Sequence, residues 1–128
     1  MEWSQTYPGC TSMVPAARAF VRGMLGDSPR RHDAELVTAE LVANSLRHTP
    51  SGDSGEVTVT VAVAPGRARI AVRDSGDGTR WQPLSGLPVD EDDHGRGLFI
   101  VFAHADKVSH DADADGQTMW AELTWSEQ

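Results

Sequence analysis

The feature that most constrains this chain is a regular alternation that ends on an acid. From Glu56 the apolar residues recur at every second position, with Val57, Val59, Val61 and Val63 on one side and Thr58, Thr60, Ala62 and Ala64 on the other. That is the period of a strand. Pro65-Gly66 is a turn dipeptide, and Arg67 to Arg73 resumes the alternation with Ala68, Ile70 and Val72 on one face, so the segment reads as an antiparallel hairpin. Asp74 continues the same series, which sends a carboxylate to the core side at the strand's end. Burying it there is costly unless hydrogen-bond donors meet it.

Two helices are expected ahead of the hairpin. Pro15 at a first turn and the apolar spacing Ala16, Phe20, Met24 predict one that ends near Gly26, before the breaker Asp27-Ser28-Pro29. The second runs from about Arg31 to His48 and stops at Thr49-Pro50, because the residue before proline resists the helical region. Residues 75–95, rich in Gly, Pro and Asp and carrying the acidic run Asp90 to Asp93, read as a mobile loop. Gly97 to roughly Lys107 reads as helix, Asp113 to Gly116 as a turn, and Thr118 to Trp125 as a last strand with Met119, Ala121, Leu123 and Trp125 on one side. Residues 2 to 7 read as a short edge strand. Antiparallel strands with helices gathered on one face make an α+β, two-layer sandwich, with any pocket between the layers.

Size and charge narrow the functions. The 128 residues fit one domain, since single cores are commonly built from about 100 to 150 residues. The longest apolar run, Leu98 to Ala103, is too short to cross a bilayer, and the first residues lack a secretion signature, so the expected location is the cytoplasm. Cys10 is the only cysteine, which rules out an internal disulfide and a cysteine-built zinc site. A net charge of -8 repels a phosphate backbone, so a protein or a small ligand, not nucleic acid, is the expected partner. His32, His104 and His110 have no metal-ligand spacing and read as surface histidines, and Trp3, Trp81, Trp120 and Trp125 read as core or interface residues.

Three polar intrusions carry chemistry. Glu40 and Asn44 lie one turn apart on one face of the second helix; a carboxylate and a carboxamide oxygen so placed can position a water and a hard cation such as magnesium, although an exposed polar stripe has the same spacing. Asp74 is the second, and an adenine amino group is one donor that would meet it. Gly76 and Gly78 just after it would let a flat ring approach the backbone, although the same residues make an ordinary surface turn. The third is His94-Gly95-Arg96-Gly97-Leu98 at an expected helix start, where unpaired amides attract anions. Each alone decides little. Their order within about sixty residues, each supplying a different part of a nucleotide site, is what points to a function.

With those motifs in this order the sequence resembles the GHKL superfamily, named for gyrase, Hsp90, histidine kinases and MutL. Glu40-Leu41-Val42-Ala43-Asn44 with His48 looks like its N box, Asp74 to Gly78 its first glycine box, Gly95 to Leu98 its second, and Thr118 the threonine that helps hold adenine. The likeness runs from about residue 31 to 125 and is nearest to small stand-alone bacterial members, the anti-sigma-factor serine kinases and their ATP-binding regulatory relatives. It implies the Bergerat ATP-binding fold with a lid over about 75–95, and ATP with magnesium as cofactors. By the same resemblance Asn44 binds magnesium, Asp74 the adenine amino group, Gly76 and Gly78 the ring's surroundings, and Gly95, Arg96, Gly97 and Leu98 the phosphate region, with His48 and Thr118 completing the site.

Glu40 is implied as general base toward a serine hydroxyl or water, and the implied partners are a sigma factor and an antagonist protein phosphorylated on serine. One position departs: where kinase members carry an arginine that reaches the terminal phosphate, this chain has Asp93. Arg96 or Arg80 is left as substitute. The alternative is a nucleotide-dependent interaction module that does not hydrolyse ATP, and pairing of two copies through the first residues stays open.

Overall fold

The alternation of residues 56–74 closes into a hairpin in the computed structural model, which describes residues 1–48, 55–74, 101, 103–113 and 116–126. β2 (Glu56–Ala64) and β3 (Arg67–Asp74) pair antiparallel about Pro65-Gly66. Gly66 has φ of 75°, a value that a side chain at this turn would strain. β1 (Glu2–Pro8) lies along β2, while β5 (Gly116–Thr124) lies along β3 and β4 (Lys107–Asp113) along β5. The result is a five-stranded antiparallel sheet in the order β1-β2-β3-β5-β4.

One face of that sheet is the floor of the core. Val57, Val59 and Val61 of β2, Ala68, Ile70 and Val72 of β3, and Met119, Ala121 and Leu123 of β5 are all buried on it. α1 (Val14–Leu25) and α2 (Arg31–His48) cover it. α2 contributes Ala34, Val37, Leu41, Val42 and Leu46; each fully buried valine or leucine of this kind stabilises the fold by about 1.5–3 kcal/mol. The other face is polar. Ser4 bonds Thr60 at 2.7 Å and Thr6 bonds Thr58 at 2.9 Å across β1 and β2, and the Arg69 guanidinium stacks 5.0 Å from the centre of the Trp120 ring. No described helix is long and apolar enough to cross a bilayer.

Two details differ from the sequence expectation. The buried stripe of α1 is Ala17, Val21 and Leu25, while Ala16 is exposed and Phe20 and Met24 are half-buried. Both stripes repeat every fourth residue, and contact with α2 selects the one turned further inward. The second difference is β4. Val101, Ala103 and His104 are helical, and Ala105 still donates to the Val101 carbonyl at 3.0 Å, but Asp106 donates to Glu122 and Lys107 begins a strand instead of ending a helix. Val108 is the only strongly β-favouring residue in Lys107–Asp113, so the strand forms because β5 offers a free edge to pair with, not because its own sequence demands it.

Arg30 ties the layers together at the start of α2. Its Nε donates to Asp33 at 2.8 Å, and its Nη atoms donate to Asp106 at 3.1 Å, to the Thr124 carbonyl at 2.8 Å and to the His104 carbonyl at 2.9 Å. His104 in turn pairs with Asp33 at 3.1 Å, and the Thr124 N–H donates to Asp106 at 2.7 Å. Partial burial opposes ionisation of Asp33, yet the bonds from Arg30 and His104 outweigh it and hold the carboxyl below its ordinary value. The Thr124 amide and Arg30 lower Asp106 likewise.

Because both carboxylates are depressed, their contribution to stability is complete above the unfolded value of about 4 and lost as pH falls through the folded one. Arg30→Ala is expected to lower unfolding free energy in urea by about 1–2 kcal/mol at pH 7. The gap between variant and wild type should narrow below about pH 4. Equal stability of the two at pH 7 would remove the network from the account.

Candidate functional site

The hairpin's parity places its final acid as expected. Val72 and Asp74 share the core side of β3, and Asp74 is only 5% exposed. It sits between Val57 of β2 and Gln117 of β5 in the strand register. A carboxylate this deep at the end of a strand needs donors, and the groups brought to it are polar.

The first is Gln117. It is also 5% exposed and shares its side of β5 with Met119, Ala121 and Leu123. Its Oε1 lies 3.4 Å from Nε2 of His110 on β4. Burial lowers the His110 pKa, against the pull of Asp111. His110 is therefore half-buried on the inner side of its strand and not the plain surface residue that spacing suggested. Gln117 was missed in the sequence reading. The signal was available, since position 117 continues the Met119, Ala121, Leu123 series backwards.

The second polar group comes from above. Asn44 of α2 is 4% exposed, and its Nδ2 donates to the Met119 sulfur at 3.9 Å. Met119 is opposite Val72 in the register, so Asn44 stands over the sheet two residues, roughly 7 Å, from the Asp74–Gln117 pair. The same carboxamide carries an oxygen, the donor type a magnesium ion takes from protein. Glu40, half-buried, is one helical turn before Asn44 on the same face. Two of the three intrusions expected from sequence, the Glu40–Asn44 pair and Asp74, are thus placed where α2 packs on β3 and β5, and the third, residues 94–98, lies outside the described residues.

Thr118 does not join them. It is opposite Arg73, whose Nη1 donates to its hydroxyl at 3.1 Å, and both lie on the sheet face away from α2. The position expected to face the ring is occupied instead by Gln117, because successive strand residues alternate between faces. His48 ends α2, but its side chain is outside the described residues, as are Gly76, Gly78, Arg80, Trp81, Asp93, Gly95, Arg96, Gly97 and Leu98 with the whole expected lid. Of the remaining tryptophans, Trp3 is exposed, and Trp125 is half-buried against the core.

The donor set fits a magnesium nucleotide: a buried acceptor-only carboxylate for an amino group, a carboxamide oxygen for a hard cation, and a carboxylate one turn from it. Comparison with known proteins bears on the same fold. No curated protein matches the chain. Among solved structures, the catalytic domain of the histidine kinase ThkA superposes with a TM-score of 0.58 at 15% identity, covering 95% of each chain. The mycobacterial sensor histidine kinase MprB gives 0.54 at 18% identity, with 97% of each chain covered. The histidine kinase domain of a blue-light activated kinase, EL346 from Erythrobacter litoralis, gives 0.56 at 17% identity; the match covers 89% of this chain but 60% of that one. At these identities the likeness establishes the architecture. Sequence similarity at the level of the family is more direct, since the model of the family described as "Histidine kinase-like ATPase domain" matches residues 10–125. This chain, with its buried strand-end acid beneath a helix carrying Glu40 and Asn44, belongs to the histidine kinase-like ATPase domain family.

Proposed function

We propose that the chain binds ATP with magnesium between α2 and the β3–β5 floor and acts as a regulator of the anti-sigma serine kinase type, passing phosphate to a serine of an antagonist protein. The observation that carries this reading is the deep burial of Asp74 beside Gln117 and near Asn44, a polar cluster at the end of a mostly apolar sheet face. Membership in an ATPase domain family supports nucleotide as the ligand.

In this reading Asp74 accepts a hydrogen bond from the adenine amino group, and Asn44 offers its oxygen to magnesium. Gly76 and Gly78 flank the ring, and Gly95, Arg96, Gly97 and Leu98 approach the phosphates, with His48 at the end of α2 nearby. Bound Mg-ATP supplies the transferable phosphoryl group. Glu40 takes the proton from the partner's serine hydroxyl as that oxygen bonds to the terminal phosphorus, and ADP leaves with the bridging oxygen. The site's end of the sheet is remote from the Arg30 network, so the two serve different purposes.

A second reading keeps the nucleotide and drops the transfer: ATP binding would present a surface to a protein partner without turnover. Asp93 favours it, because an acid stands where the resemblance expects the arginine that meets the terminal phosphate.

Titration calorimetry with ATP and magnesium should show binding that Asp74→Asn weakens by tenfold or more, as loss of a charge-assisted hydrogen bond predicts. Thr118→Val, on the opposite face, should change affinity less than twofold. Absence of heat with wild type rules out both readings. Radiolabel from ATP should reach a candidate antagonist with wild type and not with Glu40→Ala; no label in either leaves the module reading in possession.

A further inference from the structure

An open sheet has two edges, and in this one they differ. β4 carries Lys107, Asp111 and Asp113, charges of the kind that discourage pairing at an edge. β1 has only Glu2 at its start and Pro8 at its end. It runs without a bulge, and among the described residues it pairs with β2 alone. We infer that β1 is a self-association edge, along which two copies of this chain pair antiparallel about a two-fold axis at Ser4, joining their sheets into one. The inference stands apart from the nucleotide reading.

The backbone sets that register. Met1 donates to the Val63 carbonyl at 3.1 Å and accepts from its N–H at 2.8 Å, and Gly9 donates to the Gly55 carbonyl at 2.9 Å. Bonded positions recur at every second residue of an antiparallel ladder, so Met1, Trp3, Gln5, Tyr7 and Gly9 spend their backbone groups on β2. Glu2, Ser4, Thr6 and Pro8 turn theirs to the open edge. Pro8 has no N–H, and its carbonyl already accepts from Cys10 at 2.8 Å. The usable edge is therefore Glu2, Ser4 and Thr6, and its centre is Ser4. Two-fold pairing there sets Ser4 against Ser4 of the second copy and Glu2 against its Thr6, so that each N–H and carbonyl of these residues meets a partner.

Side chains and charge suit a second copy. Met1 and Trp3, 72% and 47% exposed, are the most exposed large apolar residues described, and both lie on this strand's edge. Trp3 is opposite Val61 in the register and so stands on the helix side of the sheet. In the paired form the two Trp3 rings meet diagonally across the axis and Met1 lies opposite Tyr7 of the second copy, which removes this apolar surface from water. Two chains of net charge -8 repel, so their contact has to be poor in charge. No Asp, Glu, Lys or Arg occurs from Trp3 to Ala17, the longest such run in the chain. The register holds the two Glu2 carboxylates four residues apart along the strands, roughly 13 Å, beyond the screening length of about 8 Å at physiological salt.

Sedimentation equilibrium of the full chain should give about twice the chain mass of 13.8 kDa. Ser4→Pro removes both central donors of the pair and no backbone bond to β2. It should raise the dimer dissociation constant tenfold or more while far-UV circular dichroism stays that of wild type. In a Cys10→Ser background, Ser4→Cys should form a covalent dimer under oxidised glutathione, because residues facing each other at the axis lie within disulfide reach. Gln5→Cys, which faces Trp3 of the second copy, should not. A wild type that stays monomeric at high micromolar concentration overturns the inference with no variant needed, and leaves the edge to a strand of another protein. A dimer that Ser4→Pro leaves as tight as wild type overturns it as well, since the contact then lies elsewhere. Linkage through Gln5→Cys and not through Ser4→Cys moves the axis and overturns the register.

Discussion

Everything at the candidate site depends on one electrostatic constraint: the Asp74 carboxylate is held under a helix, where water reaches little of it. Left without donors there, such a group would be driven to take up a proton or to leave the core. The sheet cannot release it, because β2 and β3 pair residue by residue from Ala64 and Arg67 to Val57 and Asp74. A one-residue slip would expose Ile70 and Val72 along with the acid. Apolar packing along the strand thus pays for the polar site at its end, and the neighbours that surround the site, Gln117, His110 and Asn44, all carry groups able to donate.

α2 is the other half of the arrangement. Its length brings two functions onto one rigid rod. The first turns are fixed by Arg30, Asp33, His104 and Asp106 to the end of β5 and the start of β4. The middle packs Val37 and Leu41 into the core and carries Glu40, and one turn further on Asn44 reaches Met119, two residues from Gln117 on β5. A helix secured at one end and packed along its middle sets the height of those side chains above the floor more finely than a loop would.

Much of this architecture could be read from residue order. Helix α2 begins and ends where its flanking breakers put it, the hairpin follows its period of two, and Asp74 faces inward by simple parity. The strand β4 was not legible, since its residues are mostly polar; pairing with β5 created it. Gln117 was legible and overlooked, because the same parity that placed Asp74 also places position 117 opposite it and puts Thr118 on the other side. The Asp33–His104 pair joins residues 71 apart in sequence, which no local spacing reveals.

The sequence by itself determined the periods, the stops and hence the order of β1, α1, α2, β2, β3 and β5, together with the identity of the polar residues that interrupt apolar faces. Those properties are local, set by backbone geometry and side-chain preference over a few residues. Only the tertiary structure decided which α1 stripe is buried, that Lys107–Asp113 is a strand, and that Gln117 with His110 stands beside Asp74. These outcomes depend on which edge is free to pair and which surface a helix meets, and such contacts exist only once distant segments have been brought together.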